Sequence, residues 1–290
     1  MNARKAALPA LLLLAIPILA QQSLPVIRQL GAPVDIGARE KNTPAKPTPR
    51  WPDGRVNLGA VPGQFGLWLP FASVNERLVI PDDDAELQKR FPDRPKLREV
   101  PFQAWSKALY IFRNGNQFEP HTRCKPSAGP RQFLTPYGVE FLDVPDLKQM
   151  FIVDLGGPHT YRTIYMDGRS HPKDLALSYY GHSTGYWDKD TLVVDTRGFN
   201  EAFWFDRSGL PHTDRLHMIE RFTRTDSKTI QYEVTIDDPG AYTGIWSSRF
   251  LLGWDGEQEL FEYICQENNL ATDLLVGSQG QVDRERSIVP

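Results

Sequence analysis

The stretch Thr229-Ile230-Gln231-Tyr232-Glu233-Val234-Thr235-Ile236-Asp237 decides how this chain folds. Ile230, Tyr232, Val234 and Ile236 alternate with Gln231, Glu233, Thr235 and Asp237. A period of two puts one face of a strand into a core and the other into water. The signal repeats on both sides. Leu216–Thr223 precedes it across the turn Asp226-Ser227-Lys228, while Trp246–Leu252 and Leu260–Gln266 follow, flanking Trp254-Asp255-Gly256-Glu257. Upstream lie Phe151–Leu155 and Tyr161–Met166, then Thr184–Trp187 and Thr191–Asp195 about the turn Asp188-Lys189-Asp190. Short strands at close spacing, joined mostly as hairpins, predict a mainly β fold. Eight such strands can close into an antiparallel up-and-down barrel, which removes the sheet edges. A two-sheet β-sandwich fits the same pattern and is the alternative.

Outside this region the chain is broken by proline. Residues 21–60 read as an extended proline-rich arm, and 61–150 as an irregular and helical segment packing on a barrel domain over 151–268, with a tail over 269–290. Asp82–Asp84 suit the N-terminus of a short helix running to Arg90. A second helix is predicted from Pro101 to Arg113, with Phe102, Trp105, Leu109 and Phe112 as its docking face. The break at 197–214 carries Phe199, Phe203, Trp204 and Phe205, and is expected to fold over one end of the barrel.

Arg4 and Lys5 followed by the apolar run Ala6–Leu19 read as a signal peptide over 1–20, cleaved after Ala20. The protein is therefore expected to be periplasmic or secreted. Past that run the chain holds no apolar stretch long enough to span a membrane. In an oxidising compartment Cys124 and Cys265, the two cysteines of the chain, are expected to form a disulfide. With 33 basic against 36 acidic residues there is no cationic excess to neutralise phosphates, which argues against nucleic acid as a partner. An apolar content of 40% excludes wholesale disorder.

Several groups of residues could carry chemistry. His171 and His182 fall in one connection and His212, with Asp214 close by, in another. Counting strands brings the two connections to one end of the barrel, where a polar rim could orient a ligand. Their spacing matches no metal motif, so neither a metal nor a cofactor is expected. Asp167 and Arg169 flank Gly168 in a tight turn or form a clamp for an anionic ligand. Glu220 shares a strand face with Leu216, Met218 and Phe222. It should therefore be buried, either as a general acid or base or as the partner of a core arginine such as Arg162 or Arg249. Gly181-His182-Ser183-Thr184-Gly185 fits the G-x-S-x-G pattern, but a strand follows where a nucleophile elbow needs a helix. Arg162, Ser183 and Asn200 complete the candidate ligand-binding set. Asp237-Asp238-Pro239 reads as a turn starter.

Several of these stretches also resemble a family. The residues are Tyr165-Met166-Asp167-Gly168-Arg169 with His171-Pro172, Gly185-Tyr186-Trp187 leading into Asp190–Thr196, Gly198-Phe199-Asn200, Glu220-Arg221-Phe222, Asp237-Asp238-Pro239 and Glu262–Cys265. Cys124-Lys125-Pro126 and Gly129-Pro130-Arg131 join them. Together, over roughly 120–268, they resemble a widespread family of uncharacterised secreted bacterial proteins. The resemblance implies an exported protein and a domain extent, with no mechanism attached. A looser likeness to calycin-like barrels implies binding of small apolar molecules. The leading expectation is thus a secreted barrel that binds a small, largely apolar ligand. An enzyme using Glu220 or the histidine rim, of hydrolase or isomerase type, is one alternative. An envelope interaction protein is the other. A pocket lined by apolar groups would favour binding, a deep pocket with a buried unpaired carboxylate the enzyme, and a filled barrel the interaction protein. No sequence feature specifies the oligomeric state.

Overall fold

A computed structural model describes residues 45–70, 77–114, 119–156 and 158–265. The expected signal peptide, the first part of the arm and the 269–290 tail lie outside the described residues. Among the described residues, nine strands close into one barrel in sequence order. They are β1 (Leu67–Pro70), β2 (Val139–Val144), β3 (Gln149–Asp154), β4 (Tyr161–Tyr165), β5 (His182–Asp188), β6 (Thr191–Arg197), β7 (His217–Arg224), β8 (Thr229–Asp237) and β9 (Trp246–Asp255). The sandwich alternative is set aside by this closure.

The barrel departs from expectation in three ways. It is mixed, because β4 and β5 run parallel, with Ile164 opposite Ser183. The 166–181 connection doubles back instead of making a hairpin. It re-enters the sheet at Gly181, where φ is +63° and a Cβ would sit 2.5 Å from the Arg197 carbonyl oxygen, so only glycine fits. The barrel also begins earlier than residue 151. β1 closes the seam against β9 and pairs with β2 on its other side. Finally, the strand expected over Leu260–Gln266 is absent from its described part: 256–265 carry no strand, and β9 runs on to Asp255 before the chain leaves the sheet.

The alternation read from the sequence sets the inside and outside of the wall. Met218, Glu220, Phe222 and Arg224 on β7, and Ile230, Tyr232, Val234 and Ile236 on β8, are all buried, while the residues between them are partly exposed. The lumen is filled with side chains. Phe141 of β2 and Phe222 of β7 come from opposite walls and meet with ring centroids 5.3 Å apart. Phe133 sits among them, 5.2 Å from Phe222 and 4.8 Å from Tyr232. It belongs to a 3₁₀ segment, Gly129–Leu134, whose six residues are all buried. Arg131 in that segment pairs with Glu119 and donates to the Leu134 carbonyl at 2.9 Å.

Helix α1 (Ala85–Arg90) is capped as expected, Asp84 Oδ1 accepting from the Leu87 amide at 2.9 Å. Helix α2 (Ala104–Asn114) is present but turned: Ser106 and Tyr110 are its buried residues, and Trp105 and Phe112 are exposed. The 198–216 connection does bury Phe199, Phe203, Trp204 and Phe205. Cys124 and Cys265 are joined, with Cα atoms 5.7 Å apart. Cys265 lies in the irregular chain after β9, not in a final strand.

Candidate functional site

The described chain carries an open groove of about 660 Å³ on the outer wall, not in the lumen. Its floor comes from outward positions of three adjacent strands, where the pattern would ordinarily place polar residues. Leu142 pairs with Phe151 and Val153 with Tyr161 across the strands. Tyr161 is 62% exposed and meets Phe151 edge to face at 5.8 Å. Leu260, Phe261 and Glu262 line the other side. The Cys124–Cys265 disulfide holds this side, as do contacts of the Tyr263 ring with Tyr137 and His159, both at 5.8 Å. Asp154, His159, Thr160 and Glu262 bring polar groups to the lining.

Asp154, at the end of β3, borders the groove and is 1% exposed. Burial pushes its carboxyl up to about 8, against the opposing pull of the Gly156 amide, Tyr180 and Arg131. It accepts from Gly156 N at 2.9 Å and from the Tyr180 hydroxyl at 3.4 Å. At neutral pH it is therefore a neutral acid beside an apolar groove.

A second polar group lies inside the barrel. Arg162 of β4 donates from Nε to Ser183 Oγ at 3.0 Å, from Nη1 to Glu220 Oε1 at 3.1 Å and from Nη2 to Thr196 Oγ1 at 2.7 Å. Nη2 also pairs with Glu220 Oε2. The Tyr232 hydroxyl donates to Glu220 Oε1 at 2.9 Å. Glu220 is thus the partner of a core arginine, as one of the two expected readings had it. Arg162, Ser183 and Glu220 are all buried, and their polar groups are engaged with one another. They sit in the core of the barrel and not at a mouth.

The expected histidine rim divides. The 166–181 and 198–216 connections do meet, Ser178 N donating to Gly198 O at 3.0 Å and Asn200 N to Ser178 O at 2.8 Å. His171 and His182 also meet, their Nδ1 atoms 2.8 Å apart. His212, however, is buried among Phe203 and Phe205, with ring centroids 4.0 and 5.0 Å away, and bonds the Phe203 carbonyl at 3.0 Å. Burial pushes it down to about 4, so it stays neutral. Asp214 is exposed at the surface. The acid that meets His171 is instead Asp195, which also holds His217. Asn200 closes a turn, its Oδ1 accepting from Ala202 N at 3.1 Å. Asp167 is chelated by Arg169, whose hydrogen bonds hold its carboxyl down at about 2. Asp238 caps its own turn, accepting from Thr213 N, Thr213 Oγ1 and Gly240 N. Among the described residues no group of three or more His, Cys, Asp and Glu side chains is placed to hold a metal ion.

Fold and contents together define a closed, mixed β-barrel with a packed lumen and two distinct features on its outer wall, an apolar groove and an imidazole cluster. No family model matches the chain, and no similar curated protein or solved structure was found.

Proposed function

We propose that this is an exported protein that binds a small, largely apolar molecule in the outer groove over β2, β3 and β4. The carrying observation is the row Leu142, Phe151, Val153 and Tyr161. Four large apolar side chains share a wall that faces water, which is costly unless something covers them. A groove of this volume suits a ligand of drug-like size, with a few polar groups at the margin to orient it. Glu262, His159 and Thr160 supply those groups. The filled lumen moves the expected ligand from inside the barrel to its wall. A packed lumen is also what an envelope interaction protein would have; the groove and its border of polar groups favour a small ligand. Export rests on the leader-like N-terminus and agrees with the disulfide. Among the described residues no helix is long and apolar enough to cross a membrane.

Titration with the fluorophore 1-anilinonaphthalene-8-sulfonate tests the site. The full chain should show saturable enhancement, and Phe151→Asp should remove most of it while the circular dichroism spectrum is retained. Equal enhancement in wild type and variant would place the apolar binding surface elsewhere.

A further inference from the structure

The cluster outside the groove has an internal logic of its own. His182, Asp195 and His217 project outward from β5, β6 and β7, and His171 reaches them from the 166–181 connection. Asp195 Oδ1 lies 3.0 Å from His171 Nε2 and 2.9 Å from His217 Nε2. A carboxylate oxygen only accepts, so both Nε2 atoms carry protons. The His217 assignment has an independent check. Arg197 Nη2, which only donates, lies 3.1 Å from His217 Nδ1, so that nitrogen must be bare. We take His171 as the neutral ring bearing its proton at Nε2; its Nδ1 then accepts, and His182 donates to it from Nδ1 at 2.8 Å. His182 is then left with a bare Nε2. Among the described residues that atom makes no hydrogen bond, nor is it among the buried atoms without a partner, so it faces solvent.

We propose that Asp195, His171 and His182 form a proton relay whose open end, Nε2 of His182, is a nucleophile toward small activated esters. The arrangement matches the general pattern of an imidazole oriented by a second group that is in turn oriented by a carboxylate. Tyr165 stacks on the His182 ring at 5.0 Å and carries Arg169, itself paired with Asp167, over its own ring at 4.0 Å. An aromatic surface therefore lies against the His182 ring, with a cation near enough to act on it electrostatically. Burial, His171 and Arg169 together lower the proton affinity of His182, which keeps it uncharged near neutrality.

In the reaction the Nε2 lone pair attacks the ester carbonyl and the bond to the leaving oxygen breaks, giving an acyl-imidazolium and a phenolate. The Nδ1 proton passes to His171, whose new positive charge faces Asp195. Water then adds to the acyl carbon and gives up one proton through solvent to the phenolate, the carbon–nitrogen bond breaks, and the acid departs. His171 returns its proton to His182 Nδ1, so the net change is ester plus water to acid plus phenol. His182 is the catalytic residue; His171 and Asp195 are positioning residues.

The test uses p-nitrophenyl acetate with the full chain, together with ¹⁵N NMR of the histidine rings. The wild type should release p-nitrophenolate above the buffer blank, and His182→Ala should lower that excess by about tenfold or more. Asp195→Asn should lower it severalfold and raise the fraction of His182 protonated at Nε2. The wild-type spectrum should show His182 protonated at Nδ1 and bare at Nε2 at pH 7.5, a readout that does not depend on any variant folding. Release unchanged in His182→Ala, or an Nε2 proton on wild-type His182, would overturn the proposal.

Discussion

Phe141 and Phe222 touch across the centre of the barrel, their ring centroids 5.3 Å apart at an interplanar angle of 72°. The two residues stand on opposite walls, so this single contact shows that the lumen is core and not cavity. Truncating one of them opens a void that the closed wall cannot collapse to fill. Phe222→Ala should cost about 3–5 kcal/mol, read as a lowered midpoint in urea denaturation with an unchanged slope.

The Arg162–Glu220 pair should behave as a buried ion pair. Glu220→Gln leaves a guanidinium in the core without its counter-charge and should destabilise by about 3–5 kcal/mol. Replacing both residues together, as Arg162→Met with Glu220→Leu, should cost less than Glu220→Gln alone. A double variant as unstable as the sum of its parts would show that the pair is not coupled.

Acid should unfold this protein early. His121 and His212 are both held down to about 4 by burial, against an ordinary value of 6.5. As pH falls through 6.5 the unfolded chain binds protons that the folded chain refuses, so stability drops between pH 6.5 and 4. Each histidine contributes up to about 3 kcal/mol to that loss. Chemical denaturation at pH 7, 6, 5 and 4 measures it.

Asp154 has the opposite slope. Its folded carboxyl is raised to about 8 from 3.8, so the folded state is relatively most favoured below pH 4 and loses ground as pH rises toward 8. Asp154→Asn removes this term. The variant should be more stable than wild type at pH 8, by a few kcal/mol at most, and the advantage should vanish near pH 4. Thermal melts at the two pH values decide it.

Reducing the disulfide should act at the groove as well as on overall stability. The bridge closes a loop spanning 141 positions, worth roughly 5 kcal/mol in the chain-entropy account. It also anchors the segment carrying Leu260 and Phe261 against the wall. Reduced protein that remains folded should bind 1-anilinonaphthalene-8-sulfonate more weakly than oxidised protein.

β7 and β8 are legible because most of their inner positions are apolar and most of their outer ones polar, and β3 to β6 because short apolar or β-branched runs are set off by turn residues. β1 is not legible. Leu67-Trp68-Leu69-Pro70 is buried on both faces and so shows no alternation. The orientation of α2 is misread because aromatic spacing marks a face without saying that it is covered. For the site, counting strands correctly brings the 166–181 and 198–216 connections together, whereas the contact of His171 with His182 is visible only in the structure. The partner Asp195 is hidden within an apolar strand, Leu192-Val193-Val194-Asp195, and only its outward register reveals it. His212 misleads because a loop histidine looks exposed until the surrounding phenylalanines fold over it. The groove is missed because its residues come from three strands, each of which shows only one or two apolar outward positions.

The seam of the barrel sets the order of its folding. β1 pairs with β9, Leu67 opposite Asp255, so the first and last strands of the wall must find each other. Local hairpins such as β7–β8 can form quickly, but the ring cannot seal until its most distant segments have met. Until then two strand edges remain open to pairing with other chains. Refolding from denaturant should therefore be slow and concentration-sensitive, with the yield set by how long that seam stays unzipped.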